Sequence, residues 1–128
     1  HFIIPAELGP VKGAELYQSQ LYSQLPFDMV LLGMGEDGHT ASLFPDLVWD
    51  ASADDDWVIP VFNAPKPPAE RISLTKMALQ NCSKMLVIIT GSNKREAVKH
   101  WRDGALLPIS EVAGCDHSAV YVEREILL

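Results

Sequence analysis

Apolar positions along the chain switch between two periods. From Val11 to Leu25, the residues Ala14, Tyr17, Leu21, Tyr22 and Leu25 recur at helical spacing, and Pro26 ends the run. Asp28–Leu32 and Met85–Thr90 are nearly continuous apolar runs of strand length, as expected of parallel strands buried on both faces. Phe2–Ile4, Trp57–Phe62, Arg71–Leu74 and Ala119–Val122 read as further strands. Thr75 can cap a helix reaching about Asn81. After a turn at Gly91-Ser92-Asn93, Lys94–Arg102 reads as a helix with Ala97, Val98 and Trp101 on one face. Thr40–Phe44 has room for one helical turn before Pro45. Two segments break the pattern. Asp46–Asp56 holds five aspartates and reads as a solvated loop, and Asn63–Glu70, with Pro65, Pro67 and Pro68, must be extended or turned. Strands alternating with helices over residues 1–128 predict one α/β domain, layered α/β/α on a mostly parallel sheet.

Composition narrows the class of partner. The chain has 128 residues, 48% apolar and 21% charged, within the range of globular domains. No apolar run approaches the roughly 20 residues of a membrane span, and no signal peptide is evident. The net charge of −7 argues against nucleic acid or an anionic membrane as partner. A small anionic ligand needs only a local cluster of donors and stays open. Cys82 and Cys115 form no CxxC pair, which points to incidental thiols in a reducing, cytoplasmic setting. The chain starts at His1 rather than Met and reads as a piece of a longer protein.

The densest chemistry follows the Asp28–Leu32 run. Gly33, Gly35 and Gly38 surround Glu36 and Asp37, and His39 comes directly after. Gly33 to Gly38 formally fits G-x-G-x-x-G, with acidic residues about 20 positions on at Asp54–Asp56, as in dinucleotide sites. Two features oppose that reading. Pro45 interrupts the long helix such a site needs, and Glu36 and Asp37 put negative charge where a pyrophosphate would lie. The alternative is that the glycines shape a loop presenting His39, with a neighbouring carboxylate fixing the imidazole, the arrangement of a positioned base. A tight turn carrying a surface histidine also fits the composition.

A second constellation is cationic. Lys94 lies in the first turn of its helix, where a cation opposes the helix dipole by about 0.3–1 kcal/mol. A bound anion reverses that sign, because the N–H groups of Ser92–Lys94, the dipole and the ammonium would then face one phosphate. Arg71 follows the proline segment, which could aim its guanidinium at phosphate oxygens. Two solvated surface cations are the plainer alternative. His100 and His117 have no partners at ligand spacing, no cluster supports a metal, and Ser42 lies outside any G-x-S-x-G. Trp49, Trp57 and Trp101 read as packing residues.

The run Gly33-Met34-Gly35-Glu36-Asp37-Gly38-His39-Thr40-Ala41-Ser42-Leu43-Phe44-Pro45 resembles the signature of 6-phosphogluconolactonases. Ala64–Thr75 resembles the family's second block and Thr90–Glu96 its third, in family order. The resemblance implies the fold shared with sugar-phosphate isomerases and deaminases. It also implies hydrolysis of 6-phospho-D-glucono-1,5-lactone in the oxidative pentose phosphate pathway, with no metal or organic cofactor. Carried onto this chain, it makes His39 the general base, with Asp37 and Glu36 supporting the loop and Arg71 and Lys94 holding the 6-phosphate. Glucosamine-6-phosphate deaminases, which also have an Asp-Gly-His loop, carry Asn-Glu-Pro where this chain has Leu43-Phe44-Pro45. Phe44 cannot move a proton, so the lactonase likeness is the closer one.

The family's N-terminal half, with its glycine- and serine-rich phosphate loop, has no counterpart in these residues. The expectation is a domain incomplete at its N-terminus, with an open sheet edge that invites self-association or pairing with the missing half.

Overall fold

A computed structural model describes residues 1–48 and 56–128. In chain order the elements are α1 (Pro10–Leu21), β1 (Phe27–Leu32), β2 (Val58–Val61), β3 (Arg71–Leu74), α2 (Lys76–Gln80), β4 (Cys82–Ile89), α3 (Arg95–Arg102), α4 (Pro108–Val112), β5 (Ser118–Val122) and α5 (Arg124–Leu127). β1, β4 and β5 form a parallel sheet in the order β1-β4-β5, with Val30 opposite Met85 and Val87 opposite Val120. β2 and β3 form a separate antiparallel pair.

One face of the parallel sheet carries the main core. Val30, Met85, Val87 and Ile89 cluster with Leu79 of α2, Ala97 and Val98 of α3, Ile109 and Val112 of α4 and Ile126 of α5. A second cluster joins Ala14, Tyr17 and Leu21 of α1 to Val58 of β2, with Ile72 against it. Thr75 caps α2 as its side chain predicts, its Oγ1 accepting the Ala78 N–H.

Several expectations change. Phe2–Ile4 forms no strand, and Ile3 is exposed. Tyr22 lies beyond α1 in a 3-10 turn and is exposed, so the apolar face of α1 ends at Leu21. β1 is not buried on both faces: Met29 is 50% and Leu31 63% exposed, and Ile88 and Tyr121, paired on β4 and β5, share the open side. Among the described residues, the core helices cover only the other face. Thr40–Phe44 forms no helical turn; a bridge pairs Thr40 with Leu43, and Ala41 adopts φ 49°. The segment 92–94 is 3-10, so α3 starts at Arg95. α4, opened by Pro108, and α5 escape the sequence pattern because each is under six residues. Trp49 and most of the expected aspartate loop lie outside the described residues. No helix among the described residues is long and apolar enough to cross a membrane.

Candidate functional site

β1 delivers the chain into a loop that folds on itself. The Gly35 N–H donates to the His39 carbonyl at 2.8 Å, the Gly38 N–H to the Gly35 carbonyl at 3.0 Å, and the Thr40 hydroxyl to the Gly33 carbonyl at 2.9 Å. Two of the three glycines are required. A Cβ on Gly35 would overlap the His39 ring, and Gly38 adopts φ +85° against the Leu107 side chain. Gly33 departs from its expected loop-shaping role: its φ is ordinary and a side chain there would meet open space. No helix follows the loop through residue 48, which removes the seat a dinucleotide pyrophosphate would need.

Asp37 organises the histidine twice. Its Oδ1 accepts the His39 backbone N–H at 3.0 Å and lies 2.5 Å from His39 Nδ1. Burial works to raise the Asp37 pKa, but the hydrogen bonds from the His39 backbone and ring, with the ring's charge, outweigh it. The carboxyl therefore titrates below its ordinary value. An ionised carboxylate only accepts, so the neutral ring carries its proton on Nδ1 and presents Nε2 as an acceptor. The His39 side chain is 19% exposed, sheltered yet reachable by a solute.

The turn beyond the histidine is held against its own preference. Ala41 occupies the left-handed region, at a cost of about 1–2 kcal/mol. The Ser42 N–H is anchored by the Ser73 hydroxyl of β3 at 3.0 Å, which gives Ser42 a structural role. Phe44, fully buried, packs on the imidazole with ring centroids 4.6 Å apart, and the Arg71 guanidinium carbon lies 5.3 Å from the same ring's centroid. Imidazole and guanidinium are thus separated by no more than those two spacings together.

Arg71 is more occupied than a bare phosphate ligand would be. Its Nε donates to the Pro68 carbonyl at 3.0 Å, and its Nη2 to the carbonyls of Lys66 and Pro67 at 2.9 and 3.2 Å. It clamps the proline segment, and among the described residues Nη1 has no hydrogen-bond partner. The segment presents Lys66, which sits within the second family-like block but carries no local signal of a role in the site. Lys66 Nζ contacts Glu36 Oε1 at 2.7 Å, and the Asn93 amide reaches Glu36 Oε2 at 3.4 Å. The Lys66 hydrogen bond and charge, then Asn93 and the charge of Lys94, hold the Glu36 carboxyl below its ordinary value. Glu36, expected to support the loop, does so from outside it, gathering the three blocks around one exposed carboxylate.

The remaining candidates fall outside the site. His117 Nε2 pairs with the Gln80 carbonyl at 3.0 Å and His100 is exposed. Cys82 and Cys115 are both free and half-buried. Among the described residues, no group of three His, Cys, Asp or Glu side chains could hold a metal ion.

Residues 1–121 match the family described as glucosamine-6-phosphate isomerases/6-phosphogluconolactonase. The chain is 42% identical over 84 residues to the probable 6-phosphogluconolactonase of Drosophila melanogaster, covering 65% of this chain and 35% of the relative. It is 35% identical over 100 residues to the chloroplastic 6-phosphogluconolactonase 3 of Arabidopsis thaliana, covering 77% of this chain and 30% of the relative. The crystal structure of the 6-phosphogluconolactonase from Thermotoga maritima superposes with a TM-score of 0.78 at 27% identity, over 93% of this chain and 53% of that one. The chain therefore spans about a third of the length of these curated relatives and half of the solved one.

Proposed function

Because the chain belongs to the glucosamine-6-phosphate isomerase/6-phosphogluconolactonase family, we propose that its site serves hydrolysis of 6-phospho-D-glucono-1,5-lactone to 6-phosphogluconate. The observation that carries this reading is the Asp37–His39 pair on a loop closed by its own backbone, with cations grouped beside it. His39 Nε2 takes a proton from water as the oxygen attacks the lactone carbonyl. The tetrahedral intermediate then collapses with cleavage of the bond from the carbonyl carbon to the ring oxygen. The imidazolium returns its proton to that oxygen, and Asp37 steadies the charged ring in between. Arg71 Nη1, Lys94 and Lys66 supply donors for the 6-phosphate. A deaminase-type relay lacks a member here, since Phe44 carries no proton.

The reading extends to a partner segment. The edge and open face of β1 border an apolar groove of about 480 Å³ lined by Tyr17, Met29, Leu31 and Ile72 among others. The solved relative is about twice as long, and we assign this groove to a complementary N-terminal segment that completes the phosphate pocket. Self-association would cover the same edge in its absence. The half-buried thiols suit a reducing compartment, the cytoplasm in this reading.

The test is a lactone hydrolysis assay, corrected for spontaneous opening, on the chain alone and on a polypeptide carrying both segments. We expect weak or no turnover by the chain alone and full turnover by the longer polypeptide. In the latter, His39→Gln should lower kcat by about 10²–10⁴-fold and leave 6-phosphogluconate affinity within about threefold. No turnover by the longer wild-type polypeptide would leave a sugar-phosphate binding module; wild-type turnover by the His39 variant would remove the base assigned here.

A further inference from the structure

The geometry points to Phe44 as the positioning residue that sets the plane of the His39 ring, an inference that rests on the lactonase reading. The hydrogen bond from Nδ1 to Asp37, with the covalent tether at Cβ, fixes two points of the imidazole. It leaves the ring to tilt about the line between them, which would shift Nε2 relative to an attacking water. The backbone provides space for the ring at Gly35, where any side chain would overlap it. Phe44 supplies the missing constraint. Its ring lies 4.6 Å from the imidazole centroid at an interplanar angle of 35° and is itself fully buried. A buried ring between packed neighbours is a stiff surface, and its fixed position becomes the orientation of the base.

Phe44 also touches Arg71, whose guanidinium carbon lies 5.3 Å from its centroid. The two contacts differ in consequence. Arg71 has three hydrogen bonds to loop carbonyls and keeps its place without the aromatic face. His39, with one side-chain hydrogen bond among the described residues, does not. Loss of the ring should therefore act on the chemical step much more than on binding.

The experiment pairs NMR with kinetics. In the wild-type chain we expect nuclear Overhauser contacts between the His39 ring protons and the Phe44 ring, with the His39 protons shifted by its ring current. In the polypeptide carrying both segments, Phe44→Leu should lower kcat by about tenfold or more and move KM by less than about threefold. Phe44→Tyr, which keeps the aromatic face, should restore most of kcat; where Phe44→Leu does not fold, Phe44→Met takes its place. Absence of the wild-type contacts overturns the proposal whatever the variants do. So does an aliphatic variant with wild-type kcat, or a tyrosine variant as slow as the aliphatic one. Failure of the lactonase reading shows separately, as absent turnover by the wild-type polypeptide with its NMR contacts intact.

Discussion

On the base side of the site the loop holds itself. Its turns close on the carbonyls of Gly33, Gly35 and His39, and Asp37 binds the next residue but one through both backbone and ring. On the anion side the cations are held by groups a ligand would have to compete with. Lys66 is paired to Glu36, and Arg71 is spread over three carbonyls. A base must be aimed before substrate arrives, because misdirection costs rate directly. A phosphate, with two charges and several acceptor oxygens, can displace an exposed carboxylate from a lysine, since solvent screens such surface pairs and leaves them weak. In the proposed reading the base side thus draws its hydrogen bonds from one loop, while the anion side offers exchangeable contacts and an open edge beside them.

The sharpest way to break that contrast is Asp37→Asn in the polypeptide carrying both segments. An amide oxygen in the place of Oδ1 still accepts from the His39 backbone and ring but brings no charge to steady the imidazolium, and an amide turned the other way donates to Nδ1 and puts the ring proton on Nε2, the wrong tautomer for a base. We expect kcat to fall by about 10²-fold or more with KM little changed. A fall in binding with normal kcat would show that the loop serves the anion instead.

The anion side should respond more gently and with opposite signs at its two partners. Lys66→Ala should raise KM by about three- to tenfold, the loss of one charge-assisted contact, with kcat within about twofold. Glu36→Gln removes the carboxylate that competes for the same ammonium and should lower KM by about two- to threefold. Steady-state kinetics at low and moderate salt separates these outcomes, because added salt weakens contacts between exposed charges. If Glu36→Gln instead lowered kcat in parallel with Asp37→Asn, Glu36 would belong to the base side after all.

The same contrast explains what was legible in the sequence. The base loop could be read because its determinants are local: two glycines, an aspartate and a histidine within five residues, each interacting with the others. The parallel strands β1 and β4 were legible as apolar runs, and α1 as helical spacing. The role of Glu36 was not, since it depends on Lys66 and Asn93, residues 30 and 57 positions away. Phe44 read only as a non-ionisable residue in a motif, because its contacts with His39 and Arg71 depend on a turn with a left-handed alanine that no local preference predicts. The open face of β1 escaped for the converse reason: its apolar run promises burial, and whether a layer covers it depends on other segments. The antiparallel β2–β3 pair followed from neither pattern nor length, since pairing direction is a tertiary choice.

The gentlest test lies in acid, where stability rather than turnover reports on the base side. Asp37 has a folded-state pKa below its unfolded value, because the His39 hydrogen bonds and ring charge outweigh burial. The folded state then binds fewer protons than the unfolded one as the group titrates, and stability rises with pH across that interval. The contribution is fully present above the ordinary value of 3.8 and disappears as pH falls through the lower folded value. Thermal melts of the chain below about pH 4 should lose stability with a component that Asp37→Asn removes, since an amide does not titrate. The component should be small, because the Asp37 side chain is 32% exposed and solvent screens it. Glu36 titrates in the same region and its carboxyl is also lowered, so Glu36→Gln supplies the control. An acid slope that survives Asp37→Asn and vanishes with Glu36→Gln would move the stabilising charge from the base side to the anion side.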